Sequence, residues 1–381
     1  MTSAALNFEC KHALRKHSKP LNILKLSKDA RMLLSGADDG QLLVWNVRQG
    51  SLFQTISVVF NGPVCAAVWM PVSPEDPTTS FAFGCADGRV FVYQQTLETG
   101  SYLLNCSISA HDTRVEALAF DMNHRRLASA GDGTAKVWQI DSGGHLKLLH
   151  ALTPEPFVIR SVDFLDRGSS LLVCYLESHR VLSQKIEPWS KEWTQQLTTR
   201  IGHATIGGDG RTLIVSNLVD GVDTYSIPPR EPLHTFRHTI NQNVPLLVSA
   251  VPGSSLFVVG SDDSCPRLYD QRTGHLSNVL RHGKSLVQVV DAISGEDDFV
   301  IATGSSDVEE IQIKIWTPIK VIQEIAKPLS SSRVAHQGGI SIGQLSIMII
   351  ICVLVQIFLV YTPKDQIAEL LGKVPFPSHI A

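Results

Sequence analysis

Apolar and polar residues alternate over short stretches through most of this chain, and the stretches come in pairs joined by turn residues. Residues 33–47 read LLSGADDGQLLVWNV, residues 81–95 FAFGCADGRVFVYQQ, and residues 127–140 LASAGDGTAKVWQI. Each holds a short apolar strand, small residues, an Asp-Gly turn and an alternating strand that closes near Trp or Tyr. Asp-Gly between alternating runs predicts a hairpin, because both turn positions tolerate positive φ. A further short strand precedes each hairpin, at residues 21–27, 64–70 and 115–121.

The pattern recurs in weaker form. Residues 161–186 keep the strand-turn-strand rhythm without the Asp-Gly or the Trp, whereas residues 201–227, 245–270 and 286–316 carry Tyr225, Tyr269 and Trp316 near their ends. The aromatic markers thus fall at 45, 93, 138, 225, 269 and 316, with one double interval that hides a degenerate unit. Seven units of roughly 40–50 residues match the period of four-stranded propeller blades. The expected fold is an all-β seven-bladed β-propeller over residues 6–318. A ring of blades must hide its first and last strand edges. The spare segment 6–14 is expected to supply the outer strand of blade seven.

One stretch departs from this rhythm. Residues 334–363 contain no Asp, Glu, Lys or Arg, and residues 340–361 are mostly Ile, Leu and Val. As a helix, those residues would span roughly 33 Å, the thickness of a bilayer's hydrocarbon core. A finished propeller has no place for a buried helix of this kind, so a C-terminal transmembrane helix is expected at 340–361. Gln344 and Gln356 are tolerable in a single span, and Tyr361 sits where an interfacial aromatic belongs. Residues 319–339 then form a linker and 362–381 a short tail with no retrieval or lipidation signal.

The repeat units resemble WD repeats, the seven-bladed propeller family. In blade one, His17, Ser35, Asp39 and Trp45 match that family's structural hydrogen-bond set. His111, Ser129, Asp132 and Trp138 match it in blade three, and His282, Thr303, Asp307 and Trp316 in blade seven, where two extra residues lie in the turn. Blades two, four, five and six are incomplete. The resemblance implies a platform that binds other proteins, on the face carrying the hairpin loops and the loops before each first strand. Lys19, Arg89, Asp112, Arg114 and Lys284 are the candidate partner-binding residues there, against the ordinary reading of each as a solvated loop charge.

Composition narrows the function classes. Lys plus Arg is 33 against 36 Asp plus Glu, with no basic block, so nothing favours nucleic acid as a partner. The seven cysteines form no CxxC pair, which argues against a zinc site or a disulfide framework and for small buried side chains in a reducing compartment. Histidines 17, 111, 203, 238 and 282 recur about once per blade, before the first strand, which suits a structural role better than metal binding. Gly207, Gly208 and Gly210 are expected in a tight turn between blade strands. The chain shows no G-x-S-x-G elbow and no phosphate loop. No catalytic, cofactor or metal residues are expected, no small-molecule substrate, and no enzyme. Two longer connections, at 71–80 and 187–198, remain. Trp189 and Trp193 in the second are expected to pack on blade four rather than to form a contact site.

With no apolar signal region at the N-terminus, the propeller is expected to face the cytosol on a single-pass, tail-anchored chain. The endoplasmic reticulum is the first expectation and the outer membranes of other organelles the second. The function expected is a membrane-anchored scaffold that recruits partner proteins to a bilayer surface. The alternative is a guanine-nucleotide exchange factor of the type that starts coat assembly on the endoplasmic reticulum, whose architecture is similar. That family acts through a glycine-rich, cation-binding loop in its first blade, where this chain has ordinary hairpin turns.

Overall fold

Strand alternation sends successive side chains to opposite faces of a sheet, so a sheet packed on both faces needs apolar residues at nearly every position of its middle strands. The computed structural model describes residues 7–319 apart from 74, 285, 296–298, 308 and 309. It resolves this demand with seven four-stranded antiparallel sheets. Strand β1 (Phe8–Leu14) comes first, then blade one with β2 (Leu21–Leu26), β3 (Met32–Ala37), β4 (Gln41–Asn46) and β5 (Ser51–Ser57). Blade two holds β6 (Val64–Trp69), β7 (Ser80–Cys85), β8 (Arg89–Gln95) and β9 (Tyr102–Ser109). Blade three has β10 (Ala117–Asp121), β11 (Arg126–Gly131), β12 (Thr134–Ile140) and β13 (Leu146–Ala151). Blade four has β14 (Ile159–Leu165), β15 (Ser170–Tyr175), β16 (Arg180–Lys185) and β17 (Ser190–Gln196). Blade five has β18 (His203–Ile206), β19 (Thr212–Ser216), β20 (Gly221–Ser226) and β21 (His234–Arg237). Blade six has β22 (Val248–Ala250), β23 (Leu256–Val259), β24 (Arg267–Asp270) and β25 (His275–Val279). Blade seven has β26 (Val289–Ser294), β27 (Phe299–Gly304) and β28 (Ile313–Pro318), completed by β1 on its outer edge.

The first strands touch in the order β2, β6, β10, β14, β18, β22, β26 and back to β2, so they enclose one central channel. Seven apolar clusters fill the seven wedges between neighbouring blades. The Asp-Gly hairpins form where the sequence places them. At the β11–β12 turn Asp132 and Gly133 have φ of 54° and 67°, and a Cβ on Gly133 would fall 1.7 Å from the Glu155 carbonyl oxygen. Only glycine fits there.

Blade closure follows the expected route. β1 pairs with β28 from Phe8 opposite Pro318 to Leu14 opposite Ile313, and Phe8 packs edge-on against Phe299 at 5.3 Å. Blade four proves complete. Gln184, buried on β16 opposite Leu171, takes the place that Trp45 holds opposite Leu33 and Trp138 opposite Leu127. The double interval therefore divides at 184, into 46 residues from Trp138 and 41 to Tyr225.

Three expectations need correction. Residues 187–198 are not a connection, because residues 190–196 form β17, the outer strand of blade four, paired with β16. Its two tryptophans pack: Trp189 stacks on His150 at 4.6 Å, and Trp193 lies against the cluster between blades four and five. His203 is not a loop residue, since it opens the first strand of blade five and lies in the channel wall. The cysteines are not uniformly buried either, because Cys10 on β1 is exposed, whereas Cys65, Cys85 and Cys174 are buried. The transmembrane segment expected at 340–361, with its linker and tail, lies outside the described residues. Among those described, no helix is long and apolar enough to cross a membrane.

Candidate protein-interaction surface

The strand meander puts the β3–β4 type hairpins and the loops entering each first strand on one face, here termed the upper face. Three internal hydrogen-bond sets fix its loops. In blade one Trp45 Nε1 donates to Ser35 Oγ at 2.8 Å, and His17 Nε2 lies 2.8 Å from the same oxygen. His17 Nδ1 reaches Asp39 at 3.0 Å. A carboxylate only accepts, so Nδ1 carries the proton, and with the ring neutral the Ser35 hydroxyl donates to Nε2. Asp39 also accepts from the Ser18 and Gln41 backbone N–H groups. Burial alone would raise its carboxyl, but the bonds from His17, Ser18 and Gln41 outweigh that and hold it below its ordinary range.

Blade three repeats the set. Trp138 Nε1 donates to Ser129 Oγ at 2.9 Å, and His111 Nε2 sits 2.8 Å from that oxygen. His111 Nδ1 stands 3.4 Å from Asp132 without hydrogen-bond geometry. The Asp132 carboxylate turns instead to the Asp112 and Thr113 N–H groups and the Thr113 hydroxyl. Burial, helped by the Lys136 charge, pulls His111 down to about 4. In blade seven the ring is reversed: His282 Nδ1 meets Thr303 Oγ1 at 2.6 Å, and Trp316 Nε1 donates to the same oxygen at 2.8 Å. His282 Nε2 is buried with no hydrogen-bond partner among the described residues, and burial takes this histidine down to about 3. The reversed ring sets the third arrangement apart from the first two, in which Nε2 meets the hydroxyl.

Substituting Ser129 by alanine should strand two buried groups at once, the Trp138 indole N–H and His111 Nε2. At about 1–3 kcal/mol for each unsatisfied group, the loss is roughly 2–6 kcal/mol. Urea unfolding of S129A against the wild type measures it, and a difference below 1 kcal/mol would mean that water replaces the hydroxyl.

The five candidate contact residues do not behave alike. Lys19, Asp112 and Lys284 are exposed on upper-face loops. Arg89 is half-buried at the start of β8. Arg114, a candidate for the open surface, is also half-buried: it lines the channel, with Nε 3.9 Å from Glu116. Beside it Arg160 donates to the Gly202 carbonyl and to Glu116 at 3.1 and 3.0 Å. Deeper in, Lys25 donates to Asp291 at 3.0 Å, and the same carboxylate accepts from the Leu26 N–H and the Ser249 hydroxyl. Burial lifts Asp163 to about 6 against the nearby Lys25 charge. It holds His203, which accepts from the Val248 N–H, down to about 3.

A residue that the repeat pattern does not single out dominates the upper face. Phe60 is fully exposed, at the centre of the short turn Val59–Asn61 that links blades one and two. Its neighbours hold the turn between two hairpins. Val59 lies against Gly40 of the β3–β4 turn, where a Cβ on that glycine would come within 2.7 Å of the Val59 backbone. On the other side Asn61 donates to Asp87 in the turn before Arg89. The aromatic ring therefore projects from a braced loop. Among the described residues, no three His, Cys, Asp or Glu side chains come together as a metal site.

Residues 8–46 and 103–139 match the family described as WD domain, G-beta repeat. These stretches are WD repeats, set in a seven-bladed propeller. Each match begins in the outer strand of the preceding blade, β1 or β9, so the sequence repeat is offset from the blade by one strand. The guanine nucleotide-binding protein subunit beta of Oryza sativa subsp. japonica is 22% identical over 343 residues, covering 87% of this chain and 77% of that protein. Protein SPA1-RELATED 3 of Arabidopsis thaliana is 31% identical over 144 residues, 37% of this chain. WD repeat-containing protein RUP1 of the same plant is 25% identical over 193 residues, covering 50% of this chain and 46% of that protein. The chain spans 16% of the length of SPA1-RELATED 3. A WD-repeat propeller is suited to binding other proteins.

Proposed function

We propose that this chain is a membrane-anchored interaction scaffold, whose propeller recruits partner proteins through the upper face of blades one and two. The observation that carries the reading is Phe60: a wholly exposed aromatic ring on a braced turn, with half-exposed Val59 beside it and Arg89 two residues beyond the Asp87 that braces the turn. Aromatic residues and arginine are enriched among interface hot spots, and an aromatic ring buries a large surface on few rotatable bonds. Lys19, Asp112 and Lys284 extend the face as a polar rim. The apolar run at 340–361 supports the membrane half of the proposal, with the propeller on the cytosolic side of the endoplasmic reticulum.

Proximity labelling from the full chain, from F60D and from a chain ending at residue 332 tests both halves. Loss of a hot-spot aromatic should weaken binding by about 30-fold, the equivalent of 2 kcal/mol. F60D is expected to lose protein neighbours that the shortened chain keeps, and the shortened chain to lose the membrane neighbours that F60D keeps. Identical neighbours for F60D and the wild type would overturn the docking surface. A propeller protected from protease inside intact microsomes would overturn the cytosolic placement.

A further inference from the structure

The channel has a second mouth, on the face opposite the hairpins. There the ends of the inner strands and the loop after β6 enclose a cavity of about 420 Å³. Its walls combine apolar Trp69, Phe120 and Met122 with polar Ser73, Thr205 and Ser249. The Trp69 indole N–H donates to the Lys25 carbonyl at 2.9 Å, so the largest wall residue is held in place. The volume lies in the range of small-ligand sites, which combine apolar walls with few convergent polar groups.

Three charged residues line this mouth, Lys25, Lys28 and Asp291. They do not present their charges equally. The Asp291 side chain is 7% exposed, and its two oxygens already accept from Lys25, Leu26 and Ser249. The Lys25 side chain is 39% exposed, and among the described residues its ammonium donates to Asp291 alone. An ammonium has three N–H bonds, so two remain for a ligand. Lys28 is exposed at the rim. The mouth thus offers the free N–H bonds of Lys25 and the exposed Lys28 beside apolar wall residues, while the carboxylate that pairs with Lys25 is turned inward.

We propose that the lower mouth of the channel is a binding site for a small organic carboxylate with an aromatic or branched apolar body. The carboxylate meets the Lys25 ammonium, and the apolar body lies against Trp69, Phe120 and Met122. This site is separate from the upper face and does not depend on the partner-binding reading.

Calorimetric titration of the full chain in lipid nanodiscs with 4-phenylbutyrate, and with its neutral amide, tests the proposal. The acid is expected to bind at least about tenfold tighter than the amide, since a charge-assisted hydrogen bond replaces a neutral one. M122W, which fills the mouth, should lose both probes and controls for partition into lipid. K25M should bind acid and amide equally. Equal affinities for acid and amide in the wild type would overturn the proposal without recourse to any variant. So would an acid affinity unchanged in M122W, which places the ligand elsewhere.

Discussion

Removal of residues 1–15 should abolish the cooperative unfolding transition of the propeller. β1 is the outer strand of blade seven, although it stands first in the chain, and it joins the two ends of the ring. Its loss would take away six paired positions along β28, the buried Leu14 and the edge-on contact of Phe8 with Phe299. At about 1 kcal/mol for each backbone bond, about 1.5–3 for Leu14 and about 1 for the aromatic pair, the sum approaches the whole stability of an ordinary domain. Two losses add to it. His12 Nε2, which lies 3.1 Å from the Arg48 carbonyl of blade one, would go, and the bared edge of β28 would invite pairing between chains. Circular dichroism melting and size-exclusion chromatography of the shortened chain should show no native transition and a shift to aggregates. A melting transition equal to that of the wild type would mean that three strands suffice for blade seven.

The fold was legible where it depends on local chemistry. Asp-Gly turns, alternating strands and the aromatic at the end of most third strands are all written within some fifteen residues, and they recur often enough to give the blade number. Closure by β1 was legible too, because an unpaired sheet edge is a physical problem and the segment before blade one was spare. What escaped was written without a local signal. The outer strand β17, SKEWTQQ, is solvent-facing at most positions, so it lacks the apolar alternation that marks an inner strand and reads as a connection. Gln184 sits where the other blades place an aromatic, and a buried glutamine has no marker in one sequence. Phe60 falls in the run VVFNGPV, where nothing distinguishes it from a core residue, and only the bracing of its turn shows that the ring points outward. The channel polar set joins Lys25 to Asp291 across 266 positions, a pairing that becomes visible only once the ring has closed.

Acidification should destabilise the propeller well above the range in which carboxylates are lost. His111 titrates at about 4 in the folded chain, and His203 and His282 at about 3, because burial disfavours their charged forms. An unfolded histidine takes up its proton near 6.5. Below that pH the unfolded chain binds more protons than the folded one, so stability falls as pH falls, by about 1.4 kcal/mol per pH unit for each histidine. Asp163 acts in the opposite direction. Its carboxyl holds a proton up to about 6 when folded but releases it lower when unfolded, so its contribution is present at low pH and is lost as pH rises through about 6. Three histidines against one carboxyl leave a net slope of about 3 kcal/mol per pH unit between roughly pH 6 and 4. Asp39 and Asp132, both held below their ordinary range, add their losses only at the acid end of that window. Urea unfolding midpoints at pH 7.5, 6 and 5 should therefore fall over both steps, by about 2 kcal/mol of stability over the first and about 3 over the second. A midpoint that stays level to pH 5 would show that these histidines accept protons while folded, and that the hydrogen-bond sets around Ser129 and Thr303 survive with charged rings.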